Sequence, residues 1–244
     1  MIRDSKTTGI VIKTENSREK DKLLSILTPD EGVIRVLVYG AQKSVKSIKA
    51  SLYSEGMFSL YKKKDGDIYT LKDLDIIALH EYISEDLDKI ASAALFSELM
   101  IKSRTSEVNL YRLYIDAIDS LEREDYQKVV IAFSIKFLSF SGLIGDFKHC
   151  PSCLREYKAD EVLGFSPILS TAVCHDCDKL EGQMILPPSA RRYLERVLSI
   201  PMLDSFALNL SKEQLYRIYR YVLRTLERCF PSSLDTLSSG LLVW

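Results

Sequence analysis

The residues best placed to do chemistry are Cys150-Pro151-Ser152-Cys153 and Cys174-His175-Asp176-Cys177, two C-x2-C pairs with 20 residues between them. Each pair can chelate a metal from a tight knuckle, and the intervening loop is long enough to bring the second pair beside the first. Four thiolates fill zinc's preferred tetrahedral shell and leave no position for water. The spacing therefore predicts one structural Zn2+ held by Cys150, Cys153, Cys174 and Cys177. His175 could replace one sulfur, but beside four cysteines it reads as a neighbouring surface group. Cys229 lies on the apolar side of a helical pattern and reads as a core thiol. A zinc deaminase is excluded because its H-x-E element is missing: His80 is followed directly by Glu81, and Pro151 follows rather than precedes its cysteine.

The second chemistry is recognition of anions. The formal net charge is only -1, but residues 1–80 hold 14 Lys and Arg against 11 Asp and Glu, while residues 81–180 hold 11 against 17. Between Arg35 and Lys64 the basic residues are Arg35, Lys43, Lys46, Lys49, Lys62, Lys63 and Lys64, opposed only by Glu55. In Gly40 to Lys49 the lysines recur every third residue among small hydroxyl residues, a composition that permits close approach to a phosphate backbone. Tyr39, Tyr53, Phe58, Tyr61 and Tyr69 are candidates to stack on bases, each of which also reads as core or ordinary strand surface. Near the C-terminus, Arg217, Arg220, Arg224 and Arg228 fall within about 80° on a helix turning 100° per residue. Such a stripe reads as the solvated face of a core-packed helix or, because its like charges repel, as a site that phosphate or an acidic peptide would relieve, either of which guanidinium forks bind bidentately.

No catalytic constellation accompanies these groups. The P-loop, H-E-x-x-H and G-x-S-x-G patterns are absent, and two of the three histidines sit beside cysteines, so no enzyme activity is expected. The longest apolar run, Val129 to Phe140, is broken by Ser134, Lys136 and Ser139, short of the roughly 18–20 residues a membrane span requires. The first residues, Met1 to Ser5, carry no apolar signal core. The expected location is the cytoplasm.

Two kinds of element must position these groups. Thr8–Thr14, Lys22–Thr28 and Val33–Tyr39 are β-branched or aliphatic, and Pro29-Asp30-Glu31-Gly32 supplies a turn between the second and third. Leu52–Tyr61 and Ile68–Ile77 flank an Asp65-Gly66 hairpin signal. Five strands in about seventy residues suit a small closed barrel such as an OB-fold. Beyond His80 the period becomes helical: Leu87 to Leu99 behind Ser84 as N-cap, then Asn109–Leu121, Tyr126–Leu143 and Pro188–Leu198. Ser211-Lys212-Glu213-Gln214 is a capping box opening a last helix that should end before Pro231. The expected class is α+β and multidomain: an OB-fold domain at 1–80, then a helical domain at 81–244 with an inserted four-cysteine zinc finger at about 147–182.

The whole pattern resembles the RecO family of bacterial recombination mediators. The resemblance is carried by Thr8-Gly9-Ile10-Val11-Ile12-Lys13-Thr14, by Glu19 to Thr28 with Gly32 closing the turn, and by Tyr39-Gly40-Ala41-Gln42-Lys43-Ser44. The last looks like the family's Lys-Gly-Ala-basic-basic-Ser loop, with Tyr39 and Gln42 at usually basic positions. The four cysteines match the zinc-bearing members. The resemblance implies binding of single- and double-stranded DNA by the barrel, strand annealing, and loading of RecA, with RecR, onto DNA coated by single-strand-binding protein. It also implies contact with that protein's acidic C-terminal tail, no membrane partner, and a bacterial, nucleoid-associated setting. Lys43, Lys46 and Lys49 are then the loop residues expected on DNA. Assigning the Arg217–Arg228 stripe to the acidic tail rests on charge alone. The competing reading is a zinc-containing OB-fold scaffold acting mainly through protein contacts.

Overall fold

The computed structural model describes residues 3–17, 21–40, 50–62, 66–103, 107–178, 184–230 and 232–242. The chain divides into two compact units, residues 1–85 with 97–112, and residues 86–96 with 113–244.

In the first unit lie β1 (Arg3–Asn16), β2 (Lys22–Thr28), β3 (Gly32–Val38), β4 (Glu55–Lys62) and β5 (Tyr69–Ala78). The first half of β1 pairs antiparallel with β4 and its second half with β2. β2 pairs with β3, β3 runs parallel to β5, and β5 returns antiparallel to β4, so the five strands form a closed barrel in the order β1-β2-β3-β5-β4. Closure leaves no free sheet edge. The corner of β1 is made at Gly9, opposite Gly56 of β4. A Cβ on Gly9 would stand 2.8 Å from Ile26 Cγ2 and the Leu27 carbonyl oxygen, so only glycine admits this approach. The interior is filled by alternate, inward-facing residues of all five strands, among them Val11, Leu24, Ile26, Val36, Phe58, Leu60 and Leu71. The β2–β3 turn closes at Gly32, whose φ is 65°, and the Thr28 hydroxyl donates to the Gly32 carbonyl at 3.0 Å.

The helices are α1 (Leu87–Ser103), α2 (Val108–Ser120), α3 (Tyr126–Phe140), α4 (Pro188–Ser199), α5 (Met202–Ser205), α6 (Lys212–Cys229) and α7 (Asp235–Ser238). α3 is buried on every side from Val129 to Leu138, as an all-round apolar helix must be, and packs on α4 and α6. Phe96, Tyr114 and Phe137 contact Phe133, the centre of this core. Two lysines on α3 anchor the turn chain beside it: Lys136 Nζ donates to the Ile200 carbonyl at 2.6 Å, and Lys128 Nζ to that of Phe206 at 2.8 Å.

Several expected boundaries move. Asp86, not Ser84, caps α1, accepting from the Asp88 and Lys89 N–H groups at 2.8 and 3.1 Å; Ser84 belongs to a preceding 3-10 turn. α3 stops at Phe140 rather than Leu143, because Gly142 takes the left-handed conformation (φ 67°) that closes a helix. The capping box at Ser211 and Gln214 forms as read. Among the described residues no helix is long and apolar enough to cross a membrane.

Candidate functional site

The four paired cysteines meet in the second unit, in the segment joining α3 to α4. The first knuckle is closed by the Leu154 N–H donating to the Cys150 carbonyl at 2.8 Å, with Leu154 held at φ 64°; the second by the Cys177 N–H donating to the Cys174 carbonyl at 3.0 Å. A small hairpin, β6 (Gly164–Ser166) with β7 (Thr171–Val173), carries the chain from one knuckle to the other. All four Sγ atoms lie within 4.8 Å of one another, and Cys153 to Cys174 is 3.7 Å. Tetrahedral coordination at a Zn–S distance of about 2.3 Å places sulfurs about 3.8 Å apart, so the donor set fits a thiolate-bound metal ion. Cys150 and Cys174 are fully buried, while Cys153 is exposed. His175, at 89% side-chain exposure, faces Asp176 and stands outside the thiol group.

Around the thiols the backbone is arranged for negative charge. Desolvation pushes the Cys150 thiol up, but N–H groups of Cys174, Cys153 and Ser152 outweigh it and bring its pKa down to about 6. Burial and the hydrogen bond that the Cys174 thiol donates to the Cys177 sulfur raise Cys174 to about 12. The hairpin is seated by Asp178, whose carboxylate accepts from the Phe165 N–H at 3.2 Å; a Cβ on Gly164 would collide with that carboxylate.

The remaining cysteine, Cys229, is half-buried rather than fully in the core. Its thiol donates to the Ser170 carbonyl at 3.5 Å, and burial raises its pKa to about 11.

The basic residues of the first unit divide. Arg35 projects outward from β3, and its cross-strand neighbour Ser25 faces Lys13 of β1, placing Arg35 and Lys13 in one row across three strands. Lys62 ends β4 with Nζ 4.6 Å from the centre of the Tyr69 ring. Lys43, Lys46, Lys49, Lys63 and Lys64 lie outside the described residues. Of the aromatics, Phe58, Tyr53 and Tyr69 are interior residues and are withdrawn as stacking surfaces; Tyr69 fills the barrel while its hydroxyl donates to Glu31 at 2.7 Å. Tyr39, 60% exposed just beyond β3, remains available, and Tyr61 is half-buried with Lys72 Nζ 5.4 Å from its ring.

The arginines of α6 also divide. Arg217, Arg220 and Arg224 line a cavity of about 410 Å³ whose other walls include Met184, Leu186, Ala190, Ile218 and Tyr221. Arg217 pairs with Glu213 at 2.7 Å, and Arg220 lies over the Tyr216 ring with its Nε buried and without a hydrogen-bond acceptor. Arg228 leaves the row and lies 5.6 Å from the Phe165 ring of the hairpin. Part of the apolar wall escapes periodicity, because Met184 and Leu186 come from the stretch before α4, while Ala190, Ile218 and Tyr221 come from α4 and α6.

The family models place the whole chain. Residues 1–80 match the model described as "Recombination protein O N terminal" and residues 84–235 match "Recombination protein O C terminal". Curated relatives named "DNA repair protein RecO" align along nearly their full length. That of Clostridium kluyveri is 25% identical, covering 95% of this chain and 92% of the relative. Those of Symbiobacterium thermophilum (28%; 95% and 97%) and Clostridium perfringens (27%; 94% and 95%) align as completely. With both halves matched in order and a barrel followed by a helical unit in the structure, the chain belongs to the RecO family of DNA repair proteins.

Proposed function

We propose that this chain is a non-catalytic, DNA-binding mediator of recombinational repair. In this reading it anneals complementary strands and, together with RecR, helps load RecA onto DNA coated by single-strand-binding protein. The observation that carries the reading is the match of both RecO halves over residues 1–80 and 84–235. The barrel, taken as an OB-fold, is the DNA-binding element. Its contacts are Arg35, Lys62 and Lys13 on the strands, together with Lys43, Lys46, Lys49, Lys63 and Lys64 outside the described residues, and Tyr39 is the base-stacking group. Cys150, Cys153, Cys174 and Cys177 hold one Zn2+ that crosslinks the insertion and supplies no chemistry to a substrate.

The α6 cavity is the proposed seat of the acidic tail of single-strand-binding protein. Carboxylates would meet Arg217, Arg220 and Arg224 while an apolar side chain entered between Leu186 and Ile218. Arg228, turned toward Phe165, is left as a flanking charge.

Fluorescence anisotropy with a labelled single-stranded oligonucleotide across a salt series tests the DNA assignment. About five phosphate contacts give a log-log slope near -3.5. Binding that is weak and insensitive to salt would instead favour a zinc-containing scaffold working through protein contacts.

A further inference from the structure

One buried charge beside the thiols has no role in the reading above. Glu161 belongs to the loop between the two knuckles, ligates nothing, and is only 10% exposed. Its carboxylate is saturated by three segments at once. Arg155, two residues beyond Cys153, forks onto it with Nη1–Oε2 2.9 Å and Nη2–Oε1 2.5 Å. The Lys158 N–H donates to it at 3.0 Å, and the backbone N–H of His175, the residue after Cys174, is turned toward it and helps hold it ionised. The Arg155 guanidinium lies near enough to the Cys174 sulfur for its charge to act there, and the Arg155 carbonyl accepts the Cys150 N–H at 2.8 Å.

The connectivity is specific. Arg155 is covalently part of the first knuckle, His175 of the second, and Glu161 joins them without any metal. A tetrathiolate around a divalent ion carries two excess negative charges, and Arg155 brings a cation to one of its sulfurs. Asp176 also faces Arg155, but at 3.9 Å and with an 80% exposed side chain, so water screens it.

We propose that the Arg155–Glu161 pair is the positioning clasp of the metal site, holding the two knuckles at ligating distance before the ion arrives. The inference rests on the reading of the four cysteines as a metal centre. Partners of this kind orient ligands, and their loss typically weakens metal affinity by roughly 10–100-fold. The clasp sets how tightly the ion is held and how fast it leaves.

The test is cobalt(II) titration of the full-length chain under reducing conditions, followed by zinc competition against a chromophoric chelator. The wild-type chain should give the absorption of a tetrahedral tetrathiolate. Glu161→Gln and Arg155→Met should give the same spectrum with affinity lower by roughly 10–100-fold and faster release to chelator. Arg155→Lys, which keeps charge but loses the fork, should fall between, and it serves if Glu161→Gln fails to fold. Asp176→Asn should stay within about twofold of wild type. A general loss of packing would lower the melting temperature of the helical unit without changing metal affinity measured well below it. Glu161→Gln and Arg155→Met chains that hold the ion as tightly as wild type would overturn the clasp. A wild-type chain giving no tetrathiolate spectrum would instead overturn the metal reading on which it stands.

Discussion

Cys153 Sγ lies 3.7 Å from Cys174 Sγ, though 21 positions separate them in the chain. That distance is far beyond a disulfide bond and close to the edge of a tetrahedron of sulfurs around one zinc ion. The loop between them has spent its conformational freedom on bringing two knuckles together, and a bound ion would return free energy for that ordering.

Cys174→Ala is therefore expected to abolish stoichiometric zinc, because Cys174 is a fully buried member of the set. Structural zinc sites contribute about 10–16 kcal/mol of apparent binding free energy, so chelation should unfold the insertion and lower the melting temperature. Metal analysis by mass spectrometry and thermal denaturation with and without chelator check this. Full zinc content in the variant would contradict it.

Arg35→Glu should weaken single-strand binding and flatten its salt dependence by about one contact, that is about 0.7 in the log-log slope. The paired change Lys43→Glu with Lys46→Glu should do so by about two contacts and leave the melting temperature unchanged. Anisotropy across a salt series reads both. Wild-type affinity in either variant would remove that segment from the DNA path.

For the α6 cavity, reversing charge with Arg220→Glu and Arg224→Glu should weaken an acidic tail peptide at least tenfold, about 1.4 kcal/mol, in calorimetry. Ala190→Phe, which narrows the apolar wall without touching charge, should also weaken it. A peptide indifferent to both changes would leave the arginines as a solvated face.

The barrel should lose stability in alkali. Burial, reinforced by the hydrogen bond to Glu31, raises the Tyr69 hydroxyl from 10.0 to about 12. The folded state thus holds this proton more tightly than the unfolded chain. The stability linked to it is complete below about pH 10 and is lost as pH rises through about 12. Tyr69→Phe should cost about 1 kcal/mol at neutral pH and flatten the alkaline decline, read from urea midpoints between pH 8 and 12. An unchanged decline would assign it to other groups.

The strands, the long helices and the cysteine set were legible because each leaves a local periodicity or spacing. Alternation marks β3, the capping box marks α6, and paired C-x2-C units mark the cysteine cluster. What stayed hidden was set by tertiary contact. Phe58 shares the buried face of β4 with Leu60, and Tyr39 follows buried Val36 and Val38 out of phase; which face of each strand is the inner one is decided by barrel closure. Arg228 follows the helical spacing of Arg224 but is diverted to Phe165 by a hairpin from elsewhere in the chain. Glu161 is an ordinary loop acid until the fold brings Arg155 and His175 to it. The β6–β7 hairpin strands, three residues each, are too short to leave a pattern.

The central claim is that this RecO-family chain mediates recombination by acting on DNA covered by single-strand-binding protein. Fluorescence-monitored annealing of complementary strands coated with that protein, with and without the chain, tests it most directly. The account predicts clear acceleration by the wild-type chain, diminished by Lys43→Glu with Lys46→Glu and by Arg220→Glu with Arg224→Glu. No acceleration by folded, zinc-loaded wild-type chain would contradict it.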